Sequence, residues 1–221
     1  LEFRRVLFRS TEGMWLLEAF PAERSAAATG AAPDAAWLNR ARLGTLRFGG
    51  GCTASFVSAR GLVMTNHHCA ETCIAELSTS KRDLTRDGFA ASGTAAELRC
   101  PGLDVVRLDE VTDVTAKVET ATHGKEGAAF GAAQRAALAE LEATCGKDDG
   151  VKCEVVSLYR GGRFHLYRYT RFDDVRLVFA PEQAIAFFGG DPDNFSFPRF
   201  DLDVAFLRAW QRGAPARDRK S

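Results

Sequence analysis

Residues 49–69 constrain this chain more than any other segment. Three glycines lead into Cys52-Thr53-Ala54-Ser55-Phe56-Val57-Ser58, a first strand. Ala59-Arg60-Gly61 makes the turn, with Gly61 free to take positive φ. Leu62-Val63-Met64-Thr65 follows as a second strand, apolar enough to be buried on both faces. It ends at Asn66-His67-His68-Cys69. A cysteine at each end of a hairpin can bridge the two strands and pin the histidine between them.

The chain has 221 residues, enough for one good core or a two-lobed one. Lys plus Arg is 29 and Asp plus Glu is 29, and this zero balance argues against nucleic acid or an anionic membrane surface as partner. No apolar run approaches a membrane span. The six cysteines are Cys52, Cys69, Cys73, Cys100, Cys145 and Cys153. No two are separated by only two residues, so a zinc reading is weak. Structural disulfides are the expectation, and with them an oxidising compartment and export: periplasmic, cell-surface or secreted. The expected pairing is Cys52–Cys69, Cys73–Cys100 and Cys145–Cys153. The last closes a small polar loop, residues 146–150.

Residues 1–10 lack the continuous apolar region and small-residue cleavage site of a signal peptide. Leu7-Phe8-Arg9-Ser10 and Asp218-Arg219-Lys220-Ser221 look like translated sequencing-adapter DNA. The expected organisation is therefore a fold-bearing stretch 11–217, flanked by foreign residues 1–10 and 218–221. Within it, residues 25–36 read as loop or weak helix. Asp34 is placed to N-cap a helix running through Trp37, Leu38, Ala41 and Leu43. Residues 71–91 are mixed. Residues 105–108 and 110–115 read as two strands. Residues 124–145 have helical spacing, with Phe130, Ala133, Ala137 and Leu141 on one face. Residues 153–158, 164–169 and 175–180 are further strands. Many short strands at close turn spacing suggest a β-barrel or sandwich.

Residues 188–203, Phe-Gly-Gly-Asp-Pro-Asp-Asn-Phe-Ser-Phe-Pro-Arg-Phe-Asp-Leu-Asp, crowd glycines, prolines and carboxylates between apolar strands. That is loop chemistry beside a scaffold. A calcium loop on Asp191, Asp193 and Asn194 lacks the EF-hand glycine and the terminal glutamate. A solvated turn is the bland reading.

Three blocks carry a family resemblance: Glu12-Gly13-Met14-Trp15, residues 52–69 and residues 188–203. Together they resemble the N-terminal part of the S46 dipeptidyl peptidases, exported bacterial serine exopeptidases. The resemblance implies a mainly β fold with some helix, the N-terminal part of a chymotrypsin-like double β-barrel, truncated before a helical domain and the nucleophile-bearing half. It places the catalytic His on His68 and the triad Asp on Asp203, with Asp201 as runner-up on the same strand face. His67 is left as a structural neighbour, since consecutive strand residues point to opposite faces. The anchor for the substrate's free amino group falls on Asn194, with Phe195 lining that pocket. The chain departs from close relatives at Phe195, where they carry Trp, and at Phe200-Asp201-Leu202-Asp203, where the best-known members carry His-Thr-Gly-Asp.

The activity so implied is release of dipeptides from the free N-terminus of peptides by a Ser-His-Asp triad, with no metal or other cofactor. No serine here has Gly-Asp-Ser-Gly surroundings, so the nucleophile is expected downstream and the chain alone is expected to be inactive. The implied partner is a peptide with a free N-terminus, with no nucleic acid and no membrane span. A homodimer of the full-length protein is compatible with the resemblance. Two other readings stand beside it: a non-catalytic binding module that kept the barrel, and an endopeptidase of the same fold.

Overall fold

The structure, a computed structural model, describes residues 15–190, 197–198 and 200–217. The stretches 1–10 and 218–221, set apart on sequence grounds, lie outside the described residues. The chain divides into two compact units, Leu1–Arg42 and Leu43–Ser221. The first holds α1 (Ala22–Thr29), closed by Gly30 in the left-handed region, and the start of α2 (Ala35–Gly44). Asp34 starts α2 as expected, its Oδ1 accepting the Trp37 N–H at 2.6 Å.

The second unit is a mostly antiparallel sheet with a few helices. In chain order it holds β1 (Thr45–Phe48), β2 (Cys52–Phe56), β3 (Leu62–Thr65), α3 (His67–Leu77), α4 (Leu84–Asp87), β4 (Phe89–Ala90), β5 (Leu98–Arg99), β6 (Val105–Asp113), α5 (Thr115–Thr122), α6 (Gly127–Cys145), β7 (Val151–Leu158), β8 (Arg163–Phe172), β9 (Asp174–Ala180), α7 (Gln183–Ala186), β10 (Ala205–Gln211) and β11 (Ala214–Pro215). The sheet order is β4-β9-β10-β3-β2-β1-β6-β8-β7, with β11 on β10 and β5 on β9. Every pairing among the described strands is antiparallel. Val63, Val175, Leu177, Ala205 and Leu207 are fully buried on β3, β9 and β10, with Leu46, Phe48, Phe56 and Phe172 from β1, β2 and β8. Each large side chain so buried stabilises the fold by roughly 1.5–3 kcal/mol. Gly61 turns β2 into β3 at φ +69°, where a Cβ would sit 2.8 Å from the Ala209 and Ala216 carbonyl oxygens. No other residue fits that turn.

Four sequence expectations change. Residues 110–115 are not a separate strand: β6 runs unbroken from Val105 to Asp113, with its register shifting between Leu108 and Glu110. The alternation breaks there because Asp109 is an extra residue in the ladder, and Thr115 already opens α5. The mixed stretch after residue 70 begins as helix, because Ala70, Cys73, Ile74 and Leu77 recur at helical spacing and pack on the core. On α6 the packed residues are Leu138 and Leu141, against Val114, Val118 and Phe164, while Phe130 stays 40% exposed. Phe130 lies on nearly the same line as Leu141, but three turns, about 16 Å, N-terminal to it, beyond the part of α6 that packs on Val114, Val118 and Phe164. Strand β1, unassigned from sequence, bridges β2 and β6.

The three disulfides form with the expected pairing. Cys69 and Cys73 lie one turn apart on α3, so Cys52–Cys69 ties that helix to β2 and Cys73–Cys100 ties it to the end of β5. Cys145–Cys153 joins the C-terminus of α6 to β7. Glu142 adds to that junction, its Oε1 accepting the Val155 N–H at 2.7 Å. No described helix is long and apolar enough to cross a membrane.

Candidate active site

Strand β3 delivers the site. It leaves the sheet at Thr65, and Asn66, extended at φ −74° and ψ 152°, turns the chain into α3. His67 and His68 therefore stand on the first turn of a helix and not on a strand. Their side chains diverge by helical rotation, about 100°, and the outcome is lopsided. His67 is 4% exposed, packed into the interior. His68 keeps 55% of its side-chain surface open to solvent.

Strand β10 delivers the partner. Thr65 pairs with Ala205 across the β3–β10 ladder. Continuing that antiparallel register two residues outward sets Asp203 beside the start of α3. Its carboxylate does two things there. Oδ2 lies 2.7 Å from His68 Nδ1, and Oδ1 accepts the His68 backbone N–H at 3.1 Å. The second bond satisfies one of the donors left open at a helix N-terminus, where a negative charge is also favoured. The Asn66 side chain completes the arrangement, its Nδ2 donating to Asp203 Oδ2 at 3.0 Å and to the Asp203 carbonyl at 3.3 Å. Burial of Asp203 favours its neutral form. The bonds from the His68 backbone and ring, the His68 charge and the Asn66 amide outweigh that, holding the carboxyl below the ordinary carboxylate range. Asp203 is thus a fixed anion, and the ring nitrogen facing it, Nδ1, carries the proton.

Asp201, the alternative carboxylate, does not meet His68; its Oδ2 is buried with no hydrogen-bonding partner among the described residues. Asn194 and Phe195 lie outside the described residues. His67 Nε2 is likewise buried without a partner among the described residues. Burial pushes the His67 imidazole below its ordinary pKa, and His68 pushes the same way. The Asp203 and Glu71 charges and a hydrogen bond to the Pro181 backbone oppose this without overcoming it. His67 is a neutral core side chain.

A cleft of about 190 Å³ opens at the pair, lined by His67, His68, Glu71, Gln183, Ala186, Phe187 and Asp203. Asn66, Glu71, Gln183 and Phe187 were not singled out from sequence. The position of Asn66, between an apolar strand and a helical repeat, is the one local signal that marked it as a helix-start residue. Cys52, Cys69 and His68 offer ligand atoms within 4.8 Å of one another. The two sulfurs are bonded to each other, so neither is a thiolate, and the disulfide and a metal ion are alternatives at this spot.

An imidazole oriented through Nδ1 by an ionised carboxylate, with its far edge open to a cleft, has the geometry to take up and give back a proton. The peptidase S46 family profile matches residues 10–220, and the chain belongs to that family. It is 39% identical over 168 residues to dipeptidyl-peptidase 7 of Porphyromonas endodontalis, covering 74% of this chain and 20% of the relative. It is 37% identical over 177 residues to the Asp/Glu-specific dipeptidyl-peptidase of the same species, covering 76% and 25%. The fold is similar to the crystal structure of Porphyromonas endodontalis DPP11 in complex with the dipeptide Arg-Glu, with a TM-score of 0.68 and 30% identity over 80% of this chain and 28% of that one. The chain thus spans about a fifth to a quarter of the length of these relatives.

Proposed function

We propose that this chain is the N-terminal part of a serine-type dipeptidyl aminopeptidase, and that its sheet belongs to a chymotrypsin-like double β-barrel. The observation that carries the reading is the 2.7 Å contact of His68 Nδ1 with Asp203 at the mouth of a cleft. A serine hydroxyl is a poor nucleophile near neutral pH. His68 Nε2 takes its proton as the hydroxyl attacks the scissile carbonyl, and returns that proton to the leaving amine. Asp203 keeps the proton of His68 on Nδ1 and stabilises the imidazolium formed in between. The serine and the oxyanion-binding amides come from the length of the family that this chain does not span. Asn194 accepts from the substrate's free α-ammonium, and Phe195 covers it with an aromatic face. Three disulfides fit an oxidising compartment and therefore export.

The test uses the full-length protein and dipeptidyl fluorogenic substrates. His68→Ala and Asp203→Ala each lower kcat by orders of magnitude, and the double variant is little worse than either, as expected for residues that act as a unit. N-acetylation of the peptide abolishes cleavage. Full activity in His68→Ala would overturn the assignment, and equal turnover of free and acetylated peptides would make the protein an endopeptidase.

A further inference from the structure

We propose that Asn66 is a positioning residue of the His68–Asp203 pair, its side-chain amide locking the Asp203 carboxylate in the one orientation that serves His68. Asn66 occupies the N-cap of α3, the place where Asn normally accepts a first-turn N–H, yet its side chain makes no capping bond. The His68 N–H is capped by Asp203 Oδ1 instead. The freed Asn66 amide grips Asp203 at two points, the carboxylate oxygen Oδ2 and the backbone carbonyl of the same residue.

That grip matters because of where Asp203 stands. It precedes β10, outside the ladder, in a stretch whose neighbouring backbone bonds run from Leu202 N–H to Ile185 and from Val204 N–H back to Leu202. Neither bond fixes the Asp203 side chain. One carboxylate oxygen is held by the His68 backbone and the other by the His68 ring. With only those two bonds, the carboxylate can swing whenever the ring moves during proton transfer. A third donor, anchored at the helix start and tied to the Asp203 main chain as well, removes that freedom. It also favours the ionised carboxylate, which in turn keeps the His68 proton on Nδ1.

The inference rests on the catalytic reading of His68 and Asp203, and the experiment separates the two. Asn66→Ala and Asn66→Ser are compared with wild type in the full-length protein. Each variant is followed by kcat, KM, thermal melting and the proton resonance of His68 Nδ1–H in protein labelled with ¹⁵N at histidine. Serine is a good N-cap but is too short to grip Asp203 at both points. The expected result is a kcat about ten-fold lower in both variants, the equivalent of one lost hydrogen bond to a charged group. KM stays unchanged, and the Nδ1–H resonance weakens or broadens even where serine preserves the melting temperature. Wild-type kcat in Asn66→Ser would show that the grip on Asp203 is dispensable, and an unaltered Nδ1–H resonance in Asn66→Ala would equally overturn the proposal. The resonance reports on positioning whether or not His68→Ala abolishes turnover, so failure of the catalytic reading is recognised independently.

Discussion

His67 and His68 are adjacent, chemically identical and opposite in environment. His68 is open to solvent and bonded to a carboxylate; His67 is buried with one nitrogen unsatisfied among the described residues. The depressed pKa of His67 has a consequence for stability. The unfolded chain binds a proton at this residue as pH falls through about 6.5, while the folded chain still resists it. Stability attributable to His67 is therefore present above that pH and declines as the pH falls from it toward the lower folded value. Thermal melts from about pH 7.5 to about pH 5.5 are expected to show a smaller loss in His67→Gln than in wild type, because the glutamine does not titrate. Equal slopes for the two proteins would mean that His67 charges in the folded state at no penalty.

At the scale of elements, α3 carries the site and is held more firmly than its own sequence requires. One turn of it is bonded to β2 through Cys52–Cys69 and the next to the end of β5 through Cys73–Cys100. The first bridge spans 17 residues, worth roughly 3 kcal/mol in the chain-entropy picture. In the full-length protein Cys52→Ser is expected to lower unfolding free energy by about that amount and to lower kcat with it, since the bridge fixes the turn that aims His68. Denaturant titration together with turnover measures both. A variant that loses stability but keeps full kcat would show that Asp203 and β3 suffice to aim the ring.

At the scale of the molecule, the pairing of β3 with β10 brings together His68, at the start of α3, and Asp203, just before β10. Under the proposed mechanism, the purified chain of residues 11–217 is expected to hydrolyse no dipeptidyl substrate, because no acyl-enzyme forms without a nucleophile. Turnover by that chain, abolished in His68→Ala and so not due to a contaminant, would place a nucleophile among the serines present here.

Much was legible in the residues themselves, where the controlling physics is local. The β2–β3 hairpin followed from two short apolar segments and the positive φ of Gly61, although β3 is not buried on both faces as its apolar run suggested, for Met64 is exposed. The start of α2 followed from Asp34. The helix at His67 was legible in the spacing of Ala70, Cys73, Ile74 and Leu77, but the strand reading of His67 and His68 hid it. The expectation that Asp203 partners His68 came from resemblance, not from spacing. What brings the two within 2.7 Å is the pairing of β3 with β10, and the contact spans 135 residues. Sequence period says which residues face a core, yet not which distant strand lies alongside. That is decided by burial of Val63 against Leu207 and their neighbours in a shared interior. The exchange by which Asp203 caps α3 and Asn66 grips Asp203 is likewise a product of that tertiary meeting, for neither residue alone announces it.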